Sequence, residues 1–109
     1  MSHYICGYNR AGEEIAFANF SIDNSNAFIL YQLLDAGQYY AGVSGSGDST
    51  TLSSQKMEKA LNTYNQLFNH HDSLSSDQEL PWDQKQILSF IQNCLKSALK
   101  EGSVKVAFC

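Results

Sequence analysis

The chain has 109 residues, a length that fits one domain spanning 1–109 and that can bury a core without disulfide or metal staples. Its composition, 43% apolar and 17% charged, excludes a disordered chain, and a single proline, Pro81, excludes a proline-rich linker. The net charge of −4 argues against nucleic acid as a partner, because that binding draws its affinity from Lys and Arg on phosphates, and Arg10 is the only basic side chain before Lys56.

Tyr4 to Asn9 and Glu14 to Phe20 are rich in β formers, and Gly12 between them supplies the positive φ of a short hairpin loop. Tyr4, Cys6 and Tyr8 share one face of the first strand. On the second, Ile15 and Phe17 share one face and Ala16, Ala18 and Phe20 the other. Apolar residues on both faces predict a sheet covered on one side and partly on the other.

Asp23, Asn24 or Ser25 can cap a helix over Ala27 to Leu34 that Gly37 ends, with Phe28, Tyr31 and Leu34 at helical spacing. A strand over Phe28 to Tyr31 is the alternative, since a short apolar run is ambiguous. Gln38 to Val43 reads as a third strand and Ser44 to Thr51 as a glycine- and hydroxyl-rich connector. Ser53 or Ser54 then caps a helix to about Asn69, whose stripe is Met57, Ala60, Leu61, Tyr64, Leu67 and Phe68.

In the polar break that follows, Ser76 and Glu79 have capping-box spacing and Pro81 suits a first helical position. The last helix spans about Pro81 to Lys100, with Ile87, Leu88, Ile91, Cys94, Leu95 and Ala98 on one face and Gly102 beyond its end. Val104, Val106 and Phe108 alternate as a half-buried strand. The order β-β-α-(β)-α-α-β predicts an α+β fold: three or four antiparallel or mixed strands with two to three helices packed on them.

No chemical motif stands out. Cys6, Cys94 and Cys109 are odd in number and widely spaced, so three reduced thiols are expected. His3 and Cys6 fall on opposite faces of a strand and form no local dyad. His70-His71 is the only close pair of metal-ligand type, and it sits where a helix C-terminus favours His, so no metal is expected. The glycines from Gly42 to Gly47 fit neither a nucleophile elbow, nor a P-loop, nor a dinucleotide fingerprint. Neither a cofactor nor a catalytic residue is assigned. The longest apolar run, Ala27 to Tyr31, is far short of the ~20 residues of a membrane helix, and Met1 to Tyr4 offers no export signal. A cytoplasmic location is expected, with no membrane partner. Homo-oligomerisation stays open.

What is left is charge and aromatics. Residues 1–55 set Arg10 against Glu13, Glu14, Asp23, Asp35 and Asp48, whereas six lysines balance six acids in the remainder. This asymmetry points to a non-enzymatic domain that binds a basic protein, of the small acidic inhibitor or immunity type. The contact candidates are Glu13, Glu14 and Asp48, together with Tyr39, Tyr40 and Trp82, whose rings adjoin polar loops. The alternative is a small-ligand or sensory domain that uses the loop 42–51 and the Tyr39–Tyr40 pair.

Overall fold

The computed structural model describes residues 2–21, 25–41, 45–68 and 82–109. The fold is α+β, with four antiparallel strands in one sheet and three helices among the described residues, in the order that the sequence pattern implies. The strands are β1 (Ser2–Tyr8), β2 (Glu14–Ser21), β3 (Ser49–Ser53) and β4 (Ser103–Phe108), arranged β2-β1-β4-β3. The helices are α1 (Ser25–Leu33), α2 (Ser54–Phe68) and α3 (Trp82–Glu101).

Alternation along each strand sends one side chain in two to the helices. That inward face carries His3, Ile5, Gly7, Ala16, Ala18, Phe20, Val104, Val106 and Phe108, all buried. The hairpin of β1 and β2 turns through Gly12 at φ +83°, and Asn9 closes it by accepting the Glu13 N–H on its side-chain oxygen. A bulge separates the pairs Gly7↔Ala16 and Tyr8↔Glu14, which leaves Ile15 as an extra residue on β2. Glu14 therefore joins the outward face, and Ile15 packs against the core instead of sharing a face with Phe17.

The run Ala27 to Tyr31 is helical, and α1 stops before Gly37. Asp35, at φ +56°, is the left-handed residue after the helix. The Asp35 N–H bonds Gln32 and the Ala36 N–H bonds Tyr31, the paired bonds of a Schellman end. The third strand lies elsewhere than the sequence pattern places it. Gly37–Tyr39 is a single 3-10 turn, and Tyr40 makes only an isolated bridge to Gly45. The strand is Ser49–Ser53, where the β-branched pair Thr50-Thr51 and the buried Leu52 outweigh the glycines before them.

Ser53 caps α2, its hydroxyl accepting the Lys56 N–H at 3.2 Å. The buried stripe of α2 is Met57, Ala60 and Tyr64; Leu61 is half-buried and Leu67 is 50% exposed, so the stripe is narrower than its spacing suggests. On α3 the buried set is Ile87, Phe90, Ile91, Cys94 and Ala98, with Leu88 and Leu95 at the margin. Gly102, at φ +92°, ends α3 and its N–H bonds Ala98. No helix among the described residues is long and apolar enough to cross a membrane. The caps at Asp23 and Asn24, the Ser76–Glu79 box, His70-His71 and Gly42 to Ser44 lie outside the described residues.

One close approach sets the distance between α3 and the sheet. A β-carbon built on Gly7 would stand 2.6 Å from the Cys94 sulfur, closer than real β-carbons approach anything. Gly7→Ala should therefore destabilise by about 1–3 kcal/mol, the usual cost of overpacking. In a Cys94→Ala background most of that cost should vanish, because the obstructing sulfur is gone. A double-mutant cycle in urea measures the coupling. Additive losses would place the tight contact elsewhere.

Candidate functional site

The three helices pack on one face of the sheet, and no described element covers the other. Strand register arranges that outward face in three rows. Glu14, Tyr8, Lys105 and Thr51 form the first; Phe17, Cys6, Ala107 and Ser49 the second; Asn19, Tyr4 and Cys109 the third. Tyr4 is 37% and Phe17 51% exposed, and their ring centroids lie 5.4 Å apart. Together they form an aromatic patch, and Glu13 and Glu14 rim it at the hairpin end, both exposed.

The acidic candidates do not all converge. Glu13 and Glu14 stand together. Asp48 precedes β3, on the opposite edge from β2, three strand spacings across the sheet and offset along it. It is exposed and accepts a hydrogen bond from the Ser46 hydroxyl at 3.1 Å. Trp82 opens α3, and its side chain lies outside the described residues.

Tyr39 and Tyr40 are brought together, in a cluster of rings beneath the sheet's inner face. Tyr39 stacks on Phe108 at 4.8 Å, nearly parallel. Tyr40 stacks on His3 at 4.9 Å and meets Tyr31 and Phe28 edge-on. The buried His3 shares a 3.1 Å hydrogen bond between its Nδ1 and the Tyr31 hydroxyl. Each tyrosine thus has a ring face committed to packing, and a groove of about 450 Å³ elsewhere on the molecule is lined by other residues.

Two of the three thiols, Cys6 and Cys94, are set up as inert groups. Burial pushes Cys94 up to about 12. Burial, then a hydrogen bond to the Glu14 carboxylate, pushes Cys6 up to about 11. A thiol at such values stays protonated near neutrality and is a poor nucleophile. Cys6 faces outward and His3 inward, so the two do not meet. Among the described residues no three His, Cys, Asp or Glu side chains converge as metal ligands would.

Comparison with protein-family models, with curated proteins and with solved structures finds no match. The site is read from its own geometry.

Three residues that matter to that geometry escape a reading by motif: Tyr4, Phe17 and Gln86. The signal for the first two was present, as apolar residues on both faces of β1 and β2. Gln86 gave none. Its amide bonds the backbone of Asn19 in both directions, accepting its N–H at 3.0 Å and donating to its carbonyl at 3.2 Å.

Two measurements follow from the thiols and the buried phenol. In the native protein a thiol reagent should react fast with one group, Cys109, and with all three free thiols only after denaturation. Fast native reaction of two or more groups would contradict the burial of Cys6 and Cys94. The second concerns alkali. Burial raises Tyr31 from 10.0 to about 12 and Cys94 from 9.0 to about 12. The folded chain therefore keeps protons that the unfolded chain has begun to lose. This contribution to stability is whole below pH 9.0 and is lost as pH rises toward about 12. Urea midpoints measured across that window should fall with pH, and Cys94→Ala should flatten the fall. A slope that ignores this substitution would refute the assignment.

Proposed function

We propose that this chain is a non-enzymatic protein-binding domain, of the small acidic inhibitor or immunity type, that offers the outward face of its sheet to a basic protein. The observation that carries the reading is the exposed Tyr4–Phe17 pair on a sheet face that no described element covers. Aromatic rings supply much contact area at low entropic cost and serve as anchors of interfaces. Glu13 and Glu14 at the rim supply the sign of the partner, since a rim charge steers encounter with its opposite. Asp48 adds to that field from the other edge of the sheet. The committed ring faces of Tyr39 and Tyr40 weigh against the small-ligand alternative.

The test begins with a photo-crosslinking residue in place of Tyr4, expressed in the native host, with the captured protein identified by mass spectrometry and purified. Reversing Glu13 and Glu14 to Lys should then slow association about tenfold at low ionic strength, and added salt should slow the unmutated protein likewise. Phe17→Ala should chiefly speed dissociation. A purified partner whose rates ignore the reversal, the salt and the truncation would sink the proposal.

A further inference from the structure

A second surface lies at right angles to the first, along the open edge of β2. The register shows which backbone groups face it. Tyr4 exchanges both its backbone bonds with Cys109 on the β4 side, so the pair Tyr4↔Asn19 exchanges none. Antiparallel pairs alternate, and Cys6↔Phe17 is the next pair of the same kind. The N–H and C=O of Phe17 therefore point away from the sheet, as do those of Asn19. At Asn19 the Gln86 amide already binds both groups, as an added strand would.

Beside Phe17 the edge opens into a groove of about 450 Å³, walled by Ile15 and Phe17 on the strand and by Gln86, Ser89 and Asn93 on α3. Ile15 and Asn93 also line a second hollow, of about 280 Å³, that continues past Lys96 to Lys100. Ser89, Asn93, Lys96 and Lys100 fall on one stripe of α3, at steps of three and four residues. Lys96 and Lys100 are exposed, and the ion pair of Lys56 with Asp35 involves neither. Glu101, the carboxylate in this lining, already accepts the Arg10 N–H at 2.9 Å.

We propose that the β2 edge and the lysine-bearing stripe of α3 receive an extended acidic peptide segment of a partner protein as a fifth strand. The edge supplies main-chain hydrogen bonds, which any extended sequence can use, and Lys96 and Lys100 select for carboxylates. Ile15 and the aliphatic stems of the lysines accept the alternate apolar side chains. This surface meets the outward face at Phe17, but its tests alter the lysines and the peptide backbone and leave the Phe17 ring, Glu13 and Glu14 untouched, so the two readings stand or fall separately.

The test is selection from a random dodecapeptide phage library with the full chain as bait. The expected outcome is enrichment of Asp- and Glu-rich peptides carrying β-branched residues. Their affinity should drop at least tenfold for Lys96→Glu with Lys100→Glu, with circular dichroism unchanged. N-methylation of alternate peptide amides, which removes strand donors but no charge, should cost at least tenfold in one of its two registers. The Phe17 amide should become protected from hydrogen exchange when the peptide is bound. No enrichment over an unrelated bait would overturn the proposal, as would indifference to the lysine reversal or tolerance of N-methylation in both registers. Two other occupants would overturn it as well: oligonucleotides that displace the peptide, or self-association of the chain that by itself protects the Phe17 amide.

Discussion

The fold depends on the insertion of β4 between β1 and β3. β1 meets β4 in the pair Ile5↔Phe108, residues that are near opposite ends of the described chain. Until that pairing forms, the hairpin of β1 and β2 is an isolated ribbon, and such ribbons are marginal in water. Once it forms, Val104, Val106 and Phe108 enter the core together. The loop that it closes is long, but closure entropy grows only with the logarithm of length, so the toll falls mainly on folding rate. Phe108 also organises what lies beyond the sheet. Its ring stacks on Tyr31 and Tyr39, and its backbone accepts the Gly47 N–H and donates to Asp48.

Two glycines show how closely other elements are drawn to this frame. Gly7 lets the Cys94 sulfur of α3 descend onto β1. Gly45 lies against the Phe108 backbone, where a β-carbon would collide with the Phe108 carbonyl. Neither position requires a positive φ. Both require the absence of a side chain, a demand that comes wholly from the partner across the contact. A turn-based reading of glycine, which suits Gly12 and Gly102, does not find these.

That contrast explains what the sequence discloses. The hairpin, the helices and the alternating β4 were legible because each rests on local periodicity or a local cap. The third strand was misplaced because Gly and Ser dominate the run before it, and the β-branched Thr50-Thr51 and buried Leu52 become a strand by pairing with β4. The bulge at Ile15 shows only in the register of β2 against β1, which no local pattern in β2 announces. The candidate surfaces were less legible still. Glu13 and Glu14 could be placed at a hairpin, but the exposure of Phe17 follows from which face the helices chose. The Gln86 cap of the β2 edge depends on contact across the whole fold.

Charge shows the same limit in another form. By chain position the acids crowd residues 1–55, and the lysines begin at Lys56. Folding interleaves the two parts, because β4 lies between β1 and β3 and α3 packs beside β2. The result is not an acidic half facing a neutral one. Strand β2 becomes a divide, with Glu13 and Glu14 at the end of its outward face and Lys96 and Lys100 on the helix along its edge. Phe17 belongs to both sides: its ring lies on the outward face, and its N–H and C=O lie at the edge. A side-chain substitution at Phe17 therefore acts first on the face, whereas a change in ligand backbone chemistry acts on the edge alone. Under the two proposals this separation would let one strand serve partners of opposite charge, and it makes the two contacts distinguishable by experiment.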